Sequence, residues 1–444
     1  MSNNSLAQKA KDQLIHRILG RKNLVHGTEG TASALPAVQA DPHPHVPDAY
    51  TRFDRLPGYQ KILVPKAAAN RFGLTNPFFW VHEGTAGATT RINGRDCINF
   101  SSYNYLGLNG HPAVSLAAKE AIDRYGTTVS ASRLVAGERP IQRELEAALA
   151  DLYGVEDCIV FVSGHATNVS TIGCLFGPKD LVIHDSLIHN SVLEGIKLSG
   201  AARRSFPHND LVALEALLTD IRGQFERVLI AVEGHYSMDG DTPDLTQLVA
   251  IKSRHKAFLM VDEAHSLGVL GATGKGLHEH MGMRGKDVDI WMGTLSKTLA
   301  GCGGYIAGER ALVEHLKYAA PGFVYSVGIA PALAAASLAA LQIMLKEPQR
   351  VSKLRDNTRF FLQQAKKNGL PTGKSEGYAI VPIMNGSSLK AAKVSGQLLD
   401  AGINVQPILY PAVEEKSARL RFFISSAHEI EHINAALQIL SRLI

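Results

Sequence analysis

Residues 257–269, AFLMVDEAHSLGV, decide how the rest of the chain is read. Phe258 to Val261 are all apolar, and the run then turns at once to Asp262, Glu263 and His265. A strand buried on both faces ends this way when its last side chains face a ligand crevice instead of the core. The letters D-E-A-H also mark the strand on which helicases hydrolyse ATP. That chemistry needs a phosphate-cradling G-x-x-x-x-G-K-[ST] loop earlier in the chain, because backbone N–H groups and a lysine must neutralise the triphosphate. None precedes Asp262. The nearest approach, NGLPTGKS at Asn368–Ser375, has its first glycine out of register and follows the acid motif. A DEAH-type ATPase is therefore only a remote alternative.

Four more segments have the same form: CIVFVS (158–163), LVIHDS (181–186), RVLIAVEG (227–234) and DIWMGTLS (289–296). Helical stretches separate them, which predicts an α/β protein with a mostly parallel, doubly wound sheet whose ligand sits at the carboxyl ends of the strands. After Pro331 an alanine-rich helix leads to YAIVPIMNG, INVQPIL and ARLRFFIS, expected strands of a smaller α+β domain. The expected organisation is an N-terminal helix and linker over 1–50, a further N-terminal segment over 51–102, a large domain over 103–330 and a small C-terminal domain over 331–444.

The 444 residues are 45% apolar and 20% charged, with a formal net charge of +5. That surplus is too dilute to indicate a nucleic-acid partner. Cys97, Cys158, Cys174 and Cys302 lack metal-site or disulfide-framework spacing, so the sequence predicts no metal and a reducing, cytoplasmic setting. No run is long enough to span a bilayer, and the N-terminus lacks the apolar core of a secretory signal. Residues 9–22 place Leu14, Ile15, Ile18 and Leu19 on one face of a basic helix. This predicts a peripheral or partner-docking helix in preference to a transit peptide.

The chemistry begins with Lys297, in the Gly- and Ser-rich turn after DIWMGTLS, where its amine would enter the same crevice as Asp262. Pyridoxal phosphate (PLP) needs this pair: a lysine to bind its aldehyde and a carboxylate to keep its pyridine nitrogen protonated. In FVSGHATN, Ser163, Gly164 and His165 stand where a strand feeds a helix, and free N–H groups there can bind a phosphate. His189 follows another strand end and offers a ring to stack on the pyridine.

SSYNYLGL, SASRLVAGE, FVSGHATN, DSLIHNSV, FPHND, EGHYSMDGD, VDEAHSLGVLGATGKG, GTLSKTLAGCGGY and ARLRFFISSAH occur in this order. Together they resemble the α-oxoamine synthases from about Tyr59 to the C-terminus. The resemblance implies a type I aminotransferase-like fold in which Lys297 is the Schiff-base lysine, Asp262 pairs with the pyridine nitrogen and His189 stacks on the ring. It places His265 near the cofactor's phenolic oxygen and the substrate carbonyl. Thr294, with Ser163, Gly164 and His165, would hold the phosphate, Ser237 would approach the phenolic oxygen, and Asn104 would lie at the substrate end. Strand alternation puts Arg419 and Arg421 on one face; the resemblance selects Arg421 to grip the amino-acid carboxylate.

A homodimer is implied as well, with residues 51–102 packed on it and Ser326 reaching the partner's phosphate. Here the chain departs from the family: it reads Tyr325-Ser326-Val327-Gly328 where a hydroxyl-rich stretch is usual, Gln142 where histidine is frequent, and Asn190 where alanine is common. The implied reaction is a decarboxylative condensation of glycine, alanine or serine with an acyl thioester, giving an α-amino ketone, CO2 and a free thiol. The alternative that keeps the cofactor is an aminotransferase. The approach segment PGYQKILVP and the GTLSK turn resemble the serine palmitoyltransferases and polyketide-pathway members. With no entrance arginine for an acyl carboxylate, this implies a long-chain or polyketide acyl group on CoA or an acyl carrier protein.

Overall fold

In the computed structural model, residues 46–71 and 76–444 are described. The basic 9–22 segment and most of the linker lie outside them. Two compact units divide at Pro65 and Lys66. In the first, Asp48–Tyr50 and Phe53–Arg55 form single 3-10 turns, and a helix starts at Pro57, where a missing N–H costs nothing.

The second unit holds three sheets. Strands β1 (His82–Glu83), β2 (Thr89–Ile92) and β3 (Arg95–Asn99) form an antiparallel meander, joined in parallel by β12 (Ile403–Asn404). The central sheet contains β4 (Asp157–Phe161), β5 (Leu181–Asp185), β6 (Ala202–Phe206), β7 (Val228–Glu233), β8 (Phe258–Asp262), β9 (Ile290–Thr294) and β10 (Gly304–Gly308), in the order β4-β10-β9-β8-β7-β5-β6. Strands β5 to β9 pair in parallel, whereas β10 runs antiparallel to both neighbours. β11 (Ile380–Met384), β14 (Arg419–Phe423) and β13 (Pro407–Ile408) make a small antiparallel sheet.

The central strands read as unbroken apolar runs because both faces are covered. Alternation divides them: Cys158 and Val160, and Val228, Ile230 and Val232, pack into one layer. Ile159 and Phe161, and Leu229 and Ala231, pack into the other. Each buried Val, Leu, Ile or Phe among them contributes about 1.5–3 kcal/mol, and the two layers together fix the sheet's register. The carboxyl ends of β4, β5, β7, β8 and β9 consequently converge on one edge. The Pro331–Lys346 helix, expected to open the C-terminal domain, packs on the Pro112–Tyr125 and Pro140–Tyr153 helices of the preceding region. No packing break occurs at residue 330.

Candidate active site

Each strand end delivers one part of a cavity of about 250 Å³, lined by Ser163, Gly164, His165, Asn168, His189, Ser191, Glu233, Asp262, Ala264, His265, Met292, Thr294, Ser296 and Lys297. β4 hands over to the Gly164–Leu175 helix, capped by Ser163. Among the described residues no protein acceptor answers the amides of Gly164 and His165, so these N–H groups are available at the positive end of the helix. Gly164 is required for close packing: a Cβ there would stand 2.9 Å from Thr294 Oγ1. Thr294 itself donates to Gly303 O at 3.0 Å.

Asp262 ends β8. Its Oδ1 accepts from Ala264 N at 3.0 Å, and its Oδ2 accepts from Asn168 Nδ2 at 2.9 Å. Asn168 also donates to Ser191 Oγ at 2.9 Å, and Ser191 Oγ lies 2.7 Å from His189 Nδ1. One chain of hydrogen bonds thus ties the carboxylate to the His189 ring. Glu233, on the next strand opposite Asp262, is buried. Burial first, and then the charge of Asp262, push its carboxyl up to about 8, so it is protonated at neutral pH beside the aspartate.

Lys297 emerges from the turn after β9. Burial outweighs the opposing pull of Asp262 and Glu233 and lowers its amine to about 8, so a sizeable neutral fraction can attack an aldehyde near neutral pH. The same turn contains Ala300 in the left-handed region, at φ 51°. Burial also lowers His189, and it drives His265 well below its ordinary value with help from Lys297 and Arg421.

A second cavity of about 550 Å³ shares Ser296 and Lys297 with the first and is lined mostly by polar residues that include His82, Asn99, Ser101, Asn104, Asn109 and Gln406. Asn104 faces it, but its amide is already engaged, donating to Ala86 O at 2.8 Å and accepting from Asn109 N at 3.1 Å. Arg421 donates to Ser237 O at 2.9 Å, and its buried Nε has no partner. Arg419 is paired with Asp239 and also donates to Met238 O and Ser417 O.

Lys297, Asp262, His189, His265, Ser163, Gly164, His165 and Thr294 are thus brought together. Ser237 lies beside this group, its amide donating to Glu233 Oε2 at 3.1 Å. Ser326 stands apart on an exposed turn, in a separate surface cleft with Ser130–Ser132 and Tyr325. Gln142 is fully buried as a helix cap, accepting from Arg139 N and donating to Ile329 O. Sequence reading missed Asn168, Ser191, Glu233 and Ser296. Asn168 ends a motif singled out at the strand end, but His165, Thr167, Ser170 and Thr171 on the same helix are polar too, so nothing local separates it from them.

The chemistry that PLP needs is present in this geometry. A lysine of lowered basicity faces a carboxylate that keeps lone pairs free, helix amides lie unpaired across the cavity, and Glu233 Oε1, Asn168 Oδ1 and Arg421 Nε are buried without partners. Such atoms are costly unless a ligand answers them. The residues fit the group.

The sequence pattern of the aminotransferase class I and II family matches residues 95–440. An 8-amino-7-oxononanoate synthase of Symbiobacterium thermophilum is 40% identical over 78% of this chain and 88% of its own length. The Sphingomonas wittichii serine palmitoyltransferase structure superposes with a TM-score of 0.84 at 28% identity, covering 87% of this chain and 97% of that one. A serine palmitoyltransferase from S. paucimobilis, solved with bound PLP–myriocin, gives 0.82 at 29% identity over the same shares. The chain belongs to the class I and II aminotransferase family and, within it, to the α-oxoamine synthases, PLP-dependent acyltransferases.

Proposed function

We propose that the enzyme joins glycine, alanine or serine to an acyl group delivered as a thioester, releasing CO2 and the free thiol and yielding an α-amino ketone. The observation that carries this reading is Arg421, a guanidinium within electrostatic reach of Lys297 whose buried Nε still lacks an acceptor. A planar fork of this kind suits an amino-acid carboxylate, and its grip would set which Cα bond stands perpendicular to the cofactor ring.

Bound PLP supplies a ring that accepts the electron pair left at Cα. In the proposed roles Lys297 holds the cofactor and moves the Cα proton at Nζ. Asp262 keeps the pyridine nitrogen protonated, and His189 covers the ring. His265 donates to the phenolic oxygen and to negative charge developing on the substrate carbonyl. Ser163, Gly164, His165 and Thr294 surround the phosphate, Ser237 serves the phenolic oxygen, and Asn104 shapes the substrate end through the backbone it holds. In a cytoplasmic homodimer Ser326 would serve the partner's phosphate.

The outer cavity supports an acyl group without a terminal carboxylate, long-chain or polyketide, on CoA or an acyl carrier protein. Among the described residues no arginine lines it, and its one lysine, Lys297, is the residue that would hold the cofactor, so a terminal carboxylate would find no guanidinium fork there. A pimeloyl group is the second reading, favoured by the name of the Symbiobacterium relative.

The test is the visible spectrum of the PLP-loaded enzyme during addition of glycine, alanine and serine, followed by thioesters. The expected result is a band shift for one amino acid, then thiol and CO2 release with an uncharged acyl thioester in preference to pimeloyl. Formation of an oxo acid without thiol would instead make the enzyme an aminotransferase.

A further inference from the structure

Tyr105 lies 160 residues from His265 in sequence, yet its hydroxyl stands 2.6 Å from His265 Nδ1, in the buried interior. Both side chains are buried, Tyr105 completely. Three aromatic rings fence the imidazole: Tyr103 meets it edge-on at 5.8 Å and 86°, Tyr105 at 6.1 Å and 65°, and Phe423 lies nearly parallel at 6.3 Å and 12°. The ring therefore has little freedom to turn. Its other nitrogen, Nε2, meets no protein partner among the described residues and is not sealed in, and the residue lines the cavity beside Lys297.

The hydrogen count of this pair has one consistent solution. Burial disfavours a proton on this imidazole, and Lys297, Arg421, His235 and His189 oppose it further. The ring is neutral. Burial likewise holds the Tyr105 phenol in its protonated form. If Nδ1 carried the imidazole hydrogen, it would donate to the phenol oxygen. The phenol O–H, which has no other acceptor among the described residues, would then be stranded in the core. If Tyr105 donates to Nδ1, both groups are satisfied and the imidazole hydrogen sits on Nε2, facing the cavity.

We propose that Tyr105 is a positioning residue that fixes His265 as the Nε2–H tautomer, so that the cavity always receives a hydrogen-bond donor at that point. The inference rests on the reading of His265 as a donor to the phenolic oxygen and the substrate carbonyl. A donor that neither rotates nor changes tautomer needs no reorganisation as negative charge develops. The tyrosine achieves this by hydrogen bonding alone and does not touch the substrate.

The first measurement uses the PLP-loaded parent enzyme labelled with 15N-histidine, the His265 signals being assigned by their loss in His265→Gln. Expected are a protonated Nε2 and an unprotonated, hydrogen-bonded Nδ1, unchanged between about pH 6 and 9. A protonated Nδ1 overturns the proposal. The second measurement is a double-mutant cycle. Tyr105→Phe should lower kcat roughly 10- to 100-fold while the KM for the amino acid moves less than about twofold, and it should cost nothing further in a His265→Ala background. An equal loss in that background overturns the proposal. Should Tyr105→Phe not fold, the spectrum of the parent enzyme decides alone. A parent enzyme whose visible absorption responds to an amino acid, but in which Tyr105→Phe is silent, loses only this inference. One that responds to no amino acid loses the functional reading beneath it.

Discussion

Arg419 and Arg421 stand two residues apart on β14 and reach toward the same loop, yet they are opposites. Arg419 is closed. It is 7% exposed, its carboxylate partner is Asp239, and its remaining bonds go to the carbonyls of Met238 and Ser417. Arg421 is open. It spends one nitrogen on Ser237 O, rests its guanidinium 4.7 Å from the Phe423 ring centroid and leaves Nε buried without a partner. A charged side chain whose hydrogen-bonding capacity is met by the protein is scaffold. One that burial has desolvated and left unmet is held for a ligand.

The sharpest way to break this comparison is to change each arginine separately. Arg421→Lys removes the planar fork while keeping charge, and it should lower kcat/KM for the amino acid about 100-fold or more, with the melting temperature little altered. Steady-state kinetics beside thermal unfolding would measure both. Arg419→Met should do the reverse. Leaving Asp239 without its partner costs roughly 3 kcal/mol of stability, while kcat/KM measured well below the melting temperature moves less than about threefold. If Arg419→Met proves the more damaging to catalysis, the assignment of the two arginines is exchanged.

Sequence alternation places both arginines on one face, and only their three-dimensional partners separate them. The same limit explains what else was legible. Lys297, Asp262, His189 and Gly164 could be found because each follows an apolar run, and a strand end is a local signal. Asn168 and Tyr105 could not, since their meaning lies in contacts 94 and 160 residues away. The sheet was readable as mostly parallel, but β10 was not separable from the turn before it: GYIAG is short and glycine-flanked, and its antiparallel pairing depends on β4 and β9 closing around it. Asn104 shows a different limit: it lines the outer cavity, while its bonds to Ala86 O and Asn109 N, which hold the cavity wall, could not be read from the sequence.

The smallest expected effect concerns what holds the loop that both arginines grip. His208 lies between two carboxylates, with Nδ1 3.0 Å from Asp185 Oδ1 and Nε2 2.8 Å from Asp241 Oδ2. Burial alone would lower its pKa, but the bonds to Asp185 and Asp241 outweigh it and raise the imidazole to about 9. Asp241 in turn closes the loop, its carbonyl accepting from Tyr236 N at 2.9 Å. An ordinary histidine titrates near 6.5. The stabilisation from the charged ring is therefore complete below about pH 6.5 and disappears as pH rises through about 9. His208→Gln should lower the melting temperature by a few degrees at pH 6, and the gap from the parent enzyme should close by pH 10. Comparing the variant with its parent isolates this group from the other titrations that weaken the protein in alkali. A gap that stayed constant with pH would mean that the ring is neutral and holds the loop by shape alone. The charge in the Asp185–His208–Asp241 bridge would then have no part in presenting Ser237 O to Arg421.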